Sequence, residues 1–79
     1  MGGNMNIDYQ LTKTHIYLDN QRFLTYGIAA INKSTAEIQR KIPDVSLDKA
    51  FVEHVVDLLN SSEAELCHFT EIVYDELNK

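Results

Sequence analysis

Residues 23–31 read FLTYGIAAI, and no other stretch of the chain carries apolar side chains at both odd and even positions. Phe23, Ala29 and Ile31 fall on one parity, and Leu24, Tyr26, Ile28 and Ala30 on the other. Successive side chains of a strand point to opposite faces, so this run has something to bury on each side and belongs at the centre of a sheet. Gly27 interrupts it, and a glycine inside a strand marks a bulge or a close approach by another segment.

Toward the N-terminus, Ile7, Tyr9 and Leu11 alternate with Asp8, Gln10 and Thr12, the pattern of a half-buried strand. Ile16 and Leu18 take the opposite parity. Thr12–Thr14 is therefore expected to hold a turn or bulge that resets the faces, either within one bent strand from about Met5 to Leu18 or between two separate strands. Asp19-Asn20-Gln21 tolerates positive φ and closes a hairpin onto the central strand. On the C-terminal side, Asn32-Lys33-Ser34 makes the next turn. Ala36, Ile38 and Ile42 then share one parity against Glu37, Gln39 and Lys41, which predicts a third strand with one wet face. Arg40 suits a strand end or an edge, and Pro43, lacking an amide hydrogen, should end the ladder.

Beyond Pro43 the period changes from two to about three and a half. Ser46 is the expected N-cap, with Asp48 in the first turn, of a helix running to about Asn60. Leu47, Phe51, Val52, Val55, Val56, Leu58 and Leu59 fill about half of its circumference. One sheet face would leave part of that arc wet, so it should also meet the second helix or a partner chain; a homodimer is one arrangement that covers it. Ser62-Glu63-Ala64-Glu65 fits a capping box and opens a second helix with Leu66, Phe69, Ile72, Val73 and Leu77 on one side. The expected fold is α+β, a single domain over 1–79. It has a loose leader at 1–4, a three- or four-stranded antiparallel β-meander at 5–42, and an antiparallel helical hairpin at 46–78 packed on one face.

The pattern Tyr9-x-Leu11, Thr25-Tyr26-Gly27-Ile28 and Asp44-Val45-Ser46-x-Asp48, with an aliphatic helix ending in Asn60 and a closing Val73-x-Asp75-x-Leu77, resembles an uncharacterised family. That family is a domain of unknown function found in small proteins of anaerobic Gram-positive bacteria, and the likeness spans about Tyr9 to Leu77. The resemblance implies an α+β fold and a bacterial or phage cytosolic origin. It brings no activity and no site residues with it.

Seventy-nine residues allow one thin core, and a core of this size typically supplies no more than ~3–5 kcal/mol of net stability. Cys67 is the single cysteine, which excludes a disulfide within the chain and, with no secretory or membrane-spanning run, points to the cytoplasm. Gly2 is followed by Asn6 where a myristoylation signal wants Ser or Thr, so no lipid anchor is expected. Charge is divided unevenly. Residues 1–41 carry five cations and three anions, net +2, whereas residues 42–79 carry two cations and nine anions, net −7, which together give the overall −5. Direct nucleic-acid binding through the C-terminal half is therefore not expected.

Cys67-His68, with His54 on the preceding helix, is the group with ligand-type side chains. It lacks a C-x-x-C or H-x-x-x-H spacing, and adjacent positions on a helix point about 100° apart, so no metal and no cofactor are expected. Nucleophilic catalysis by Cys67 would need His54 as an aligned base and an oxyanion site, and no phosphate loop or nucleophile elbow accompanies them. A small Cys/His hydrolase is thus the outside reading, and a non-enzymatic protein the leading one. The carboxylates carry that reading. Glu53 and Asp57 are spaced i to i+4 on the face opposite the apolar arc of their helix, and Glu71 and Asp75 repeat the spacing on the next. Each like-charged pair costs about 0.2–0.5 kcal/mol in an isolated helix. A plain solvated surface would look the same; the functional reading is a surface that docks on a basic protein. Tyr17 and Tyr74 are candidate interface anchors beside it. The expected function is therefore an acidic protein-binding module, a small regulator or inhibitor. The sharper alternative is a phage or mobile-element inhibitor of the anti-CRISPR type that mimics nucleic acid in its target's basic groove.

Overall fold

A computed structural model describes residues 6–79; the leader at 1–4 and the proposed strand start at Met5 lie outside the described residues. Three strands, β1 (Ile7–Leu18), β2 (Gln21–Asn32) and β3 (Ile38–Ser46), are followed by helices α1 (Lys49–Ser61) and α2 (Phe69–Leu77). The sheet is an antiparallel meander in the order β1-β2-β3, so the FLTYGIAAI run is its central strand. Asp19 and Asn20 both adopt positive φ, 52° and 63°, between the paired residues Leu18 and Gln21. This is the two-residue turn whose twist matches a right-handed hairpin.

The two helices cover one sheet face. Tyr9 and Leu11 on β1 stand opposite Ala30 and Ile28 on β2, and Tyr9, Ile28, Ala30 and Val45 meet Val52, Val55 and Leu59 of α1 and Phe69 and Val73 of α2 in one core. The Tyr9 and Phe69 rings lie 5.1 Å apart. Burying a side chain of this size removes about 1.5–3 kcal/mol of exposure cost, so these nine residues hold the helices to the sheet.

Gly27 explains the shape of β3. The pairing moves from Ile28 with Ile42 to Tyr26 with Ser46, so β3 spends extra residues across from Gly27. A Cβ built on Gly27 would lie 2.6 Å from the carbonyl carbon and oxygen of Pro43 and closer still to the Ile42 carbonyl oxygen. The bulged backbone passes directly over the glycine, as its place in the strand predicted.

Several boundaries differ from expectation. β1 runs unbroken from Ile7 to Leu18 in regular register with β2, with no turn or bulge at Thr12–Thr14. The apolar parity switches because the hairpin outruns the helices: its near half buries odd residues under them, while Ile16 pairs with Phe23 on the other face. β3 does not stop at Pro43 but reaches Ser46, because an edge strand with a bulge loses no ladder bond to a missing amide hydrogen. Ala36 sits in the turn at φ 63°, and Ile38 and Ile42 face opposite sides, since the register shifts between Ala30 and Ile31. The α1 N-cap is Asp48, whose carboxylate accepts from the Phe51 amide at 3.3 Å, and Ser46 instead accepts from the Asp48 amide. Ser62 and Glu65 form no capping box. The Ser62 hydroxyl donates back to the Leu58 carbonyl at 2.7 Å and closes α1, and the chain enters α2 through a 3-10 turn at Leu66–His68.

Candidate functional site

The four carboxylates singled out in the sequence all reach solvent. Glu53 and Asp57 project from α1 away from the buried Val52, Val55 and Leu59, and Glu71 and Asp75 are exposed on α2. Glu71 has His68 Nδ1 at 3.8 Å, with both side chains largely in water; Glu53, Asp57 and Asp75 make no ion pair among the described residues. Glu71 and Asp75 share an open groove of about 510 Å³ with Ile72, Tyr74 and Asn78. Tyr74, 53% exposed, lines the same groove.

A fifth carboxylate, Glu76, is drawn inward. Its side chain is 8% exposed and binds Lys79 Nζ at 2.6 Å and His54 Nε2 at 3.6 Å, tying α2 to α1. The hydrogen bond from Lys79 is the largest influence and lowers the Glu76 pKa; burial opposes it, while the charges of Lys79 and His54 assist. The same bond raises the Lys79 pKa. The i,i+3 spacing of Glu76 and Lys79 was visible in the sequence, but the inter-helix reach of His54 was not.

The ligand-type residues are arranged otherwise than expected. Glu65, Cys67 and His68 place one donor atom each within 4.8 Å of one another, all exposed, and Cys67 Sγ is 3.8 Å from Glu65 Oε2. Cys67 and His68 thus come together despite the divergence anticipated for adjacent helical positions, in a 3-10 turn preceded by extended backbone at Glu65. His54 is directed at Glu76. Burial chiefly, and the nearby Cys67 secondarily, raise the pKa of Tyr9, whose hydroxyl donates to the Ala64 carbonyl at 2.7 Å.

Sequence reasoning missed two polar ties. The Asn60 side chain takes both outward backbone groups of Tyr9: its Oδ1 accepts from the Tyr9 amide and its Nδ2 donates to the Tyr9 carbonyl, each at 2.9 Å. It thus stands in for a neighbouring strand. The fully buried Thr25 hydroxyl donates to Asp44 Oδ1 at 2.5 Å, fastening the β3 bulge. Neither is readable from local spacing, since the partners are 51 and 19 residues apart.

Fold and surface together define a small acidic α+β domain, an open three-stranded sheet backed by two helices, none of them long and apolar enough to cross a membrane among the described residues. The whole chain, residues 1–79, matches a family of unknown function (DUF6514), and the protein belongs to that family. No curated protein and no solved structure matches it.

Proposed function

We propose that the protein is a small non-enzymatic protein-binding module, a regulator or inhibitor that acts in the cytoplasm of a bacterium or phage host by docking its acidic helices on a basic partner surface. The observation that carries the proposal is the Glu71–Tyr74–Asp75 face of α2, where two carboxylates with no Lys or Arg salt bridge among the described residues share an open groove with an exposed aromatic ring. Tyrosine is enriched at interfaces, where its ring supplies contact area, and complementary charge around it steers association. Glu53 and Asp57 on α1 extend the same sign of charge.

The test uses the intact protein as bait, identifies what it captures, and titrates that purified partner. A Glu71→Lys, Asp75→Lys variant should stay folded, because both side chains are exposed and neither belongs to the core. A close charge pair across an interface contributes roughly 1.5 kcal/mol or more, so two reversals should weaken binding about a hundredfold. Wild-type binding should also weaken steeply with salt, since the Debye length is only ≈ 8 Å at physiological ionic strength. Binding that is indifferent to both would remove the proposal.

A further inference from the structure

The two edges of the sheet are treated differently. The β3 edge is broken by Pro43 and the bulge over Gly27, devices that stop a strand from recruiting another. The β1 edge runs unbroken for twelve residues, with no register shift against β2. Asn6 accepts from the Lys33 amide, and alternation of bonded pairs along an antiparallel ladder then assigns the even residues of β1 to β2 and turns the backbone groups of the odd ones outward. Tyr9 confirms this, since both of its groups are held by Asn60. Asn60 thereby closes the edge at Tyr9, and the Asp19-Asn20 turn closes it beyond Leu18. Between those stops, the outward groups of Leu11, Lys13, His15 and Tyr17 meet no protein partner among the described residues.

Thr14–Leu18 and Gln21–Thr25 also project as a two-stranded ribbon, because β3 pairing ends at Tyr26. A two-stranded ribbon is marginal in water, and this one carries Tyr17 at 72% and Leu18 at 58% exposure.

We infer that the open edge of β1 pairs with the same edge of a second copy, antiparallel about a twofold axis through Thr14. The bare positions 11, 13, 15 and 17 are symmetric about residue 14, so one register uses all of them in both chains. Leu11 then faces the partner's Tyr17, and Lys13 faces the partner's His15. Four facing pairs exchange about eight ladder bonds and turn two three-stranded sheets into one of six. The exposed Tyr17 ring gains an apolar neighbour on the helix-covered face, and Thr14 meets its own copy on the opposite face. Asn60 fixes this register by ending the free edge at Tyr9. The inference is independent of the acidic surface, which the pairing leaves exposed.

Sedimentation of the full chain at micromolar concentration should give twice the 9.0 kDa of one chain; a monomer there overturns the inference. His15→Pro removes an outward amide hydrogen without touching the intramolecular ladder, and should yield a monomer with unchanged far-UV circular dichroism. A His15→Pro variant that folds and still dimerises equally overturns it. In a Cys67→Ser background, Thr14→Cys places two thiols at a non-bonded pair about 4.5 Å apart between Cα atoms, within reach of a disulfide. Oxidation should then link most of the protein into covalent dimers. Leu18→Cys, whose copies would lie about 27 Å apart, should remain unlinked. No selective linkage at Thr14 refutes the register whatever becomes of the proline variant.

Discussion

Replacing Gly27 with alanine tests the account of the sheet most directly. The added methyl would stand 2.6 Å from the Pro43 carbonyl carbon and oxygen and nearer still to the Ile42 carbonyl. Those are backbone atoms, so no side-chain rotation relieves the overlap, and β3 must lift from β2. Alanine in place of glycine would otherwise stabilise a strand by about 0.5–1 kcal/mol. Forcing an extra carbon into a filled site typically costs about 1–3 kcal/mol, and sometimes more. With the neighbour immovable the upper part of that range applies, and a net loss near 2 kcal/mol is expected. That is a large share of the ~3–5 kcal/mol a core of this size supplies. A urea titration with a slope near 1 kcal/mol/M should therefore show a midpoint lowered by about 2 M. A midpoint that stays or rises, with an unchanged slope, would mean that β3 does not lie over Gly27, and the explanation of the bulge would fail with it.

Two further outcomes are expected. Asn60→Ala strips both bonds from Tyr9; at about 0.5–1.5 kcal/mol each it should cost about 1–3 kcal/mol by the same titration, while Asn60→Asp, which keeps the acceptor but loses the donor, should fall between it and the wild type. The Glu76–Lys79 tie gives the melting temperature a defined pH profile. Because the Glu76 pKa is lowered by folding, its contribution is complete above the ordinary carboxylate value of about 4.3 and disappears as pH falls through the lower folded value. The Lys79 pKa is raised, so its contribution is complete below about 10.4 and disappears as pH rises through the higher folded value. Glu76→Gln should flatten both ends of the profile; a variant that keeps the wild-type acid and alkaline slopes would show that the tie is not their source.

The central strand, the Asp19-Asn20 hairpin and α1 were legible because each rests on a local rule: apolar residues on both parities, tolerance of positive φ, and a period near 3.6. The misread boundaries share a cause, which is competition between two local rules that only the tertiary fold decides. Pro43 forbids a donated bond, not a strand, and the bulge leaves that bond unneeded. Ser62 matches a start signal for α2, but its hydroxyl is occupied by the Leu58 carbonyl at the end of α1. The Thr12–Thr14 bulge was inferred from a change of parity on the premise that one face is buried along a whole strand. A hairpin longer than its helical cover breaks that premise. At the candidate site, the exposure of Glu53, Asp57, Glu71 and Asp75 followed from helical periodicity, whereas the inward turn of Glu76 and the meeting of Glu65, Cys67 and His68 depend on where α2 docks and on a short turn that no periodicity announces.

The Asn60 bridge to Tyr9 also makes one amide a natural gauge of how firmly the layers adhere. The Tyr9 N–H is turned away from β2 and is shielded by a side chain from α1 alone, so it exchanges with solvent when the helix lifts even while the hairpin remains intact. The amides of Asp8 and Gln10, held within the ladder, wait for the strands themselves to part. The ratio of these exchange rates separates the free energy of helix undocking from that of unfolding the sheet, within three consecutive residues of one strand.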